Sequence, residues 1–229
     1  MTQPIQQLFD TIAPRYDLLN SVLSWGLDRH WRQEAVSPLK GPEFNHILDL
    51  CAGTLALTTA FLETNPDGHV TAIDFSQEML DCGWKNLAPA FQKRVTLQSQ
   101  DILKADILPH SYDAVMCAYG LRNVSDNKSA LKKIKAWLKP GGKLIVLEFL
   151  KPEKWWEKLF DKTYAQIVIP LLGGLISRHP KAYRHLRDSI RNYYTSTEFK
   201  DLLQHIGFKN ISIKSQRGGS SSLITAEVL

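Results

Sequence analysis

From about residue 46 the chain alternates short apolar runs with longer stretches whose apolar residues recur at helical spacing. The runs fall at residues 46–50, 70–74, 95–98, 114–118, 143–149, 211–214 and 223–228, and each has the length of a strand. Segments long enough for crossover helices separate the first five. That spacing predicts parallel strands with helices on both faces of one sheet. The last two runs lie closer together and suit a hairpin. Between runs four and five, Ala130, Leu131, Ile134, Trp137 and Leu138 keep helical spacing until Lys139-Pro140-Gly141-Gly142 reads as a stop, with a strand directly after it. Residues 1–45 and an insert at 151–194 fall outside the pattern. They are expected to form a helical cap over substrate and a helical lid, within a single domain spanning residues 1–229.

A doubly wound sheet binds ligands beyond the carboxyl ends of its strands, and its first strand-to-helix turn needs glycine where the backbone approaches the ligand. Ile47-Leu48-Asp49-Leu50-Cys51-Ala52-Gly53-Thr54 has that form. Asp74 ends the next run, where a carboxylate can accept hydrogen bonds from both hydroxyls of a ribose. Asp101 follows the third run, in reach of an adenine amino group. The three acids form a series at successive strand ends. GxGxxG is absent, and Leu55, Ala56 and Leu57 follow Thr54, which disfavours a pyrophosphate ligand. The competing roles are plain ones: a turn glycine at Gly53, a helix cap at Asp74 and a solvated loop acid at Asp101.

Composition narrows the picture. Apolar residues make up 44% and charged residues 22%, so the chain is not the low-hydrophobicity, high-charge kind that stays disordered. A net charge of +5 suits nucleic acid, an anionic membrane face or an acidic small molecule, yet no basic stripe with interleaved aromatics supports nucleic acid, and no such partner is expected. Cys51, Cys82 and Cys117 are odd in number and widely spaced, so neither a disulfide framework nor a CxxC metal site is expected, and a reducing, cytoplasmic compartment fits. The N-terminus does not read as a signal peptide. The longest uncharged stretch, residues 163–177, contains Pro170, Gly173 and Gly174 and falls short of the roughly 20 apolar residues a spanning helix needs.

Phe9-Asp10-Thr11-Ile12-Ala13-Pro14-Arg15-Tyr16-Asp17 resembles the ubiquinone/menaquinone biosynthesis C-methyltransferase family, and the resemblance continues through most of the chain. Asn20, Ser24, Gly26 and Trp31-Arg32 fit the family's N-terminal signature, residues 49–54 its first cofactor motif, and Gly120-Leu121-Arg122-Asn123-Val124 with Asp126 its most distinctive one. Residues 138–142, Leu147-Glu148-Phe149, Lys151-Pro152, Ser189-Ile190-Arg191 and Gly207-Phe208 complete the series. The resemblance implies a Rossmann-like class I methyltransferase, with a seven-stranded, mostly parallel sheet. It further implies transfer of a methyl group from S-adenosylmethionine to a ring carbon of a polyprenylated benzoquinol or naphthoquinol. Carried over by position, Thr54, Asp74, Asp101 and Ile102 line the cofactor site, and Asp49 and Gly53 shape its turn. Three departures stand out. The family usually reads Gly-Thr-Gly-Asp where this chain has Gly53-Thr54-Leu55-Ala56, which predicts weak cofactor binding; Ala118 and Tyr119 replace a serine before Gly120; and Asp28 stands where histidine is common.

Methyl transfer from a sulfonium is an in-line displacement, so positioning carries much of the catalysis, and a ring carbon becomes nucleophilic only when the neighbouring hydroxyl loses its proton. A cation or base is therefore expected near the end of strand four. Arg122 is the first choice for stabilising the oxyanion, directly or through water, with Asn123 orienting the ring; a structural ion pair between Arg122 and Asp126 is the competing role. Tyr16 and Tyr183 are candidate donors to a quinol oxygen, and His110, His179 and His185 are alternative bases. Trp155 and Trp156, among the lysines of residues 154–162, suit either a lipid interface or an ordinary lid helix. Expected partners are thus an oily polyprenyl quinol and, peripherally, the inner face of the cell membrane. The oligomeric state stays open, with a homodimer as one expectation. Three readings compete with a quinol C-methyltransferase: a methyltransferase acting on another aromatic or lipid acceptor, a catalytically impaired cofactor-binding module, and a nucleic-acid binder.

Overall fold

The strands form where apolar residues run almost unbroken, because a parallel sheet covered on both faces buries every side chain of its central strands. In the computed structural model, which describes residues 3–153, 180–216 and 221–229, β1 (His46–Leu50) shows this most clearly: Ile47, Leu48 and Leu50 are fully buried. The other strands are β2 (His69–Asp74), β3 (Val95–Ser99), β4 (Tyr112–Ala118), β5 (Leu138–Glu148), β6 (Lys209–Ser215) and β7 (Ser222–Glu227). They lie in the order β3-β2-β1-β4-β5-β7-β6. The first five are parallel, and β7 inserts antiparallel between β5 and β6. The strand order reverses between β1 and β4, the place where an open α/β sheet leaves a crevice at its carboxyl edge.

Helices cover both faces. On one side, α7 (Asn127–Trp137) and α9 (Ser196–Ile206) pack Leu131, Ile134, Phe199 and Leu203 against Leu48, Leu50, Val115 and Cys117. On the other, α3 (Leu27–Val36) and α4 (Ala56–Thr64) pack Trp31, Val36, Phe61 and Leu57 against Ile47, Met116 and Ile145. The remaining helices are α1 (Gln3–Ile12), α2 (Tyr16–Leu23), α5 (Gln77–Asn86), α6 (Pro89–Gln92) and α8 (Pro180–Arg191). The Ser76 hydroxyl caps α5 by accepting from the Met79 N–H, and Thr195 and Glu198 form a reciprocal capping box at α9.

One expected boundary moves. Residues 139–142 fall inside β5, which starts at Leu138, as an irregularity between the Tyr112–Leu138 and Ala114–Lys143 pairs, with Gly141 at φ 77°. The Gly141 N–H donates to the Val228 carbonyl and the Val228 N–H to the Gly142 carbonyl, so the chain end holds this turn in the sheet. Residues 154–162 and the apolar run after them lie outside the described residues.

Candidate active site

Helices α1 and α2 close the carboxyl edge of the sheet by polar contacts over long sequence separations. Gln6 donates from its side-chain amide to the Phe75 carbonyl, the Ser76 hydroxyl donates to Asp10, and the Thr54 hydroxyl donates to Asp17 at 2.6 Å. The cleft beneath them encloses about 630 Å³ of space, part of it open solvent. Asp49, Gly53, Thr54 and Asp74 line one wall, Gly120 and Asn123 the other, and Tyr16 and Asp17 come from the cap.

Two acids dominate the first wall. Asp74, at the end of β2, accepts at 2.9 Å from the Gly53 N–H with one oxygen and at 2.9 Å from the Ser76 N–H with the other. Asp49 accepts from the Thr58 hydroxyl at 2.6 Å, while its second oxygen is buried without a hydrogen-bond partner. Neither acid has an ion-pair partner among the described residues. Burial pushes the Asp49 carboxyl up to about 7 against the Thr58 hydrogen bond, with a further push from Asp74. Burial likewise raises Asp74 to about 6 despite its backbone donors. An orphaned acid oxygen beside a second uncompensated acid is the arrangement a bound cation would complete.

The turn between the acids is strained. Leu55 caps α4 with φ at 62°, the left-handed region where glycine is free and leucine is not. The penalty of about 1–2 kcal/mol is outweighed by complete burial of its side chain, worth about 1.5–3 kcal/mol. Ala56 lines the cleft, so no carboxylate projects from that position.

On the second wall, Leu121–Asn123 forms a single 3-10 turn after β4. Gly120 has no substitute there, because a Cβ would stand 2.2 Å from the Cβ of Cys51. Asn123 lines the cleft, and its side-chain oxygen lies 2.9 Å from Nε2 of His185 on α8. Burial, then the charge of Arg122, lowers the His185 pKa, so its ring is neutral at pH 7. Arg122 itself stands behind this surface: Nη1 is 2.6 Å from the Glu148 carboxylate, with side chains 6% and 0% exposed. The Arg122 guanidinium also donates to the Tyr119 carbonyl, and Glu148 accepts from the backbone N–H groups of Arg122 and Phe149. The Arg122 Nε is buried without a partner.

Of the residues singled out in the sequence, Asp49, Gly53, Thr54, Asp74, Tyr16 and Asn123 meet in one cleft. Asp101 and Ile102 do not join its lining: Asp101 turns back to accept from the Leu103 N–H, and Ile102 is a core residue. The competing role for Arg122, a structural ion pair, is formed, but with Glu148 and not with Asp126. Asp126 caps α7 by accepting from the Ser129 N–H, and Glu148, carried alongside by the β4/β5 pairing, takes the arginine instead. A lone acid in the apolar run of β5 was the signal for this pair, since a fully buried carboxylate needs a partner. His110 hydrogen-bonds the Leu138 carbonyl at the far end of β5, away from the cleft. The Tyr183 side chain and His179 lie outside the described residues. No group of His, Cys, Asp and Glu among the described residues is arranged to hold a metal.

A model of the ubiE/COQ5 methyltransferase family matches residues 1–226. The chain belongs to that family. It is an S-adenosylmethionine-dependent methyltransferase of quinone biosynthesis. Over 230 residues it is 37% identical to the ubiquinone/menaquinone biosynthesis C-methyltransferase UbiE of Geotalea daltonii, covering 98% of this chain and 96% of the relative. It is 31% identical over 222 residues to the demethylmenaquinone methyltransferase of Listeria welshimeri, covering 96% and 94% of the two chains. The fold is also that of human N-acetylserotonin methyltransferase in complex with S-adenosylmethionine, with a TM-score of 0.64 and 20% identity over 93% of this chain and 55% of that one. The seven-stranded Rossmann-like methyltransferase fold is therefore the one the family resemblance implied, and its parallel sheet covered on both faces is the one the strand pattern predicts.

Proposed function

We propose that this methyltransferase acts on a ring carbon of a polyprenylated quinol, a demethylmenaquinol or the related benzoquinol. The observation that carries the reading is the opposition of two walls across one cleft, the first with two uncompensated acids and the second with an arginine-backed asparagine. Asp74, Gly53 and Thr54 would hold the cofactor's nucleoside side and Asp49 its cationic side. When bound, S-adenosylmethionine supplies an electrophilic methyl group next to a positive sulfur.

The other wall prepares the nucleophile. Asn123 presents a polar group to the quinol hydroxyl, and its hydrogen bond to His185 fixes its orientation. Tyr16, half-buried, is raised in pKa by burial and drawn down by the nearby Arg122 charge, so it remains a neutral hydrogen-bond donor for the quinol oxygen. Arg122 contributes positive potential from behind, stabilising the phenolate that forms as the hydroxyl proton leaves.

An oily acceptor is most readily collected at a membrane surface. No described helix is long and apolar enough to cross a membrane. On the cap, however, Leu18 and Trp25 are 58% and 77% exposed beside the residues that line the cleft. Peripheral attachment is therefore part of the proposal, and liposome flotation with anionic vesicles reads it out; sedimentation reads out a homodimer. The acceptor is tested by incubating the protein with S-adenosylmethionine and a panel of quinols, soluble phenols and lipids. Mass gain confined to the quinols supports the reading, and methylation of a phenol or lipid in preference to them overturns it.

A further inference from the structure

Two nucleophilic side chains in the site have no part in the chemistry above. Cys51 follows β1, and Cys117 lies near the end of β4, where it pairs in register with Leu50. Side chains alternate across a sheet, so continued extension would send Cys51 to the side opposite Leu50 and Cys117. The backbone does otherwise. Cys51 has φ at 54°, a left-handed conformation that turns its side chain back, and it packs on the same layer as Leu50 and Cys117. Such a conformation costs a residue with a Cβ about 1–2 kcal/mol.

Both sulfurs crowd against Gly120. A Cβ placed on Gly120 would lie 2.8 Å from the Cys51 sulfur and 3.2 Å from the Cys117 sulfur. Cys117 is fully buried, whereas Cys51 lines the cleft. A hydrogen bond between the thiols, followed by burial, holds the Cys51 thiol well above its usual range. The third cysteine, Cys82, sits on α5.

We infer that Cys51 and Cys117 form a dithiol that a quinone in the cleft oxidises to a disulfide, switching cofactor binding off. The inference rests on the quinol reading only for its choice of oxidant. In the reaction the Cys51 thiolate adds to a quinone carbon, and the Cys117 sulfur then attacks the Cys51 sulfur. The S–S bond forms, the C–S bond breaks with its electron pair passing to the ring, and the ring leaves as a quinol. The two thiol protons end on its two oxygens, so the dithiol loses the two electrons the quinone gains.

The consequence for binding is geometric. A disulfide brings its sulfurs to about 2.0 Å, drawing Cys51 toward β4. Ala52 and Gly53 follow directly in the chain, and it is the Gly53 N–H that hydrogen-bonds to Asp74. The raised thiol keeps the pair protonated at neutral pH and slow toward dilute oxidants, so an oxidant held beside Cys51 is favoured. An oxidised quinone pool would thereby silence an enzyme whose acceptor must be reduced.

The test uses the whole protein and needs no methyl transfer. The reduced protein is treated anaerobically with duroquinone, whose fully substituted ring resists stable thiol addition, and is followed by intact mass, peptide mapping and calorimetric titration with S-adenosylmethionine. Loss of two hydrogens in mass, a Cys51–Cys117 cross-linked peptide and at least about tenfold weaker binding are expected, with recovery on adding dithiothreitol. The rate of cross-linking rises with pH. Cys82→Ser behaves as wild type, and Cys117→Ser keeps after treatment the affinity it had before. Unchanged mass, a different pairing, or a cross-linked protein that binds with undiminished affinity would overturn the inference.

Discussion

The two walls of the cleft solve the problem of buried charge in opposite ways. On the acceptor side Glu148 is neutralised by Arg122 at 2.6 Å and accepts from two backbone donors, so the acid of this wall is charge-paired as it stands, with only the Arg122 Nε left unpartnered. On the cofactor side Asp49 and Asp74 are buried with no ion-pair partner among the described residues, and both are displaced upward in pKa. An isolated buried carboxylate is costly, and a protein keeps two of them side by side where something else completes them. The difference separates a wall that reads a cation from a wall that stabilises a developing anion.

The largest effect should come from breaking the charge-paired wall. Arg122→Ala leaves Glu148 buried and unpaired and is expected to cost about 3–5 kcal/mol in urea unfolding. Arg122→Met combined with Glu148→Leu regains most of that stability, because removing both charges removes the unpaired one. Turnover should stay lost in the double variant; a stable double variant with wild-type turnover would reduce Arg122 to a structural role.

Next in size is the anchor of the open wall. Asp74→Ala removes the acceptor of the Gly53 and Ser76 N–H groups and is expected to weaken S-adenosylmethionine binding about a hundredfold by calorimetry, with circular dichroism unchanged.

The pH dependence sharpens the contrast. Folded Asp49 and Asp74 hold protons up to about pH 7 and 6, whereas an unfolded aspartate releases its proton near 4. The contribution of these acids to stability is thus fully present below about pH 4 and is lost as pH rises through 6 and 7. Asp49→Asn should therefore be more stable than wild type at pH 8, by an amount on the order of a few kcal/mol, and equal to it near pH 4. Cofactor binding has the opposite slope: it tightens as the acids ionise, and Asp49→Asn flattens the curve. Titrations at several pH values that showed no slope in wild type would remove the charge argument.

The smallest effects lie in the turn. Leu55→Gly relieves left-handed strain but empties a buried site, and a net loss of about 1 kcal/mol in thermal unfolding is expected. Adding Ala56→Asp to it places a further carboxylate in the cleft beside Asp17, Asp49 and Asp74, and binding should tighten about tenfold.

The same contrast explains what could be read without coordinates. Strands β1, β2 and β4 were legible because near-continuous burial imposes near-continuous apolarity, and the acids at the ends of β1 and β2 were legible because a ligand edge falls at strand ends. The start of β5 was not, since Pro140-Gly141-Gly142 obeys local turn chemistry while its pairing with Val228 comes from the far end of the chain. Glu148 escaped for the same reason: Asp126 is near Arg122 in sequence, but parallel pairing of β4 with β5 decides which acid is near in space. The docking of the cap through Gln6, Asp10 and Asp17 depends on single side chains reaching across the fold, which no periodicity records.

The most direct test supplies methyl-labelled S-adenosylmethionine and reduced demethylmenaquinol under anaerobic conditions and locates the label in the product by nuclear magnetic resonance. The account predicts label on the unsubstituted ring carbon that lies between one oxygenated carbon and the prenylated carbon, formed from the quinol and not from the quinone. Label on an oxygen, or equal transfer to the oxidised ring, would contradict it.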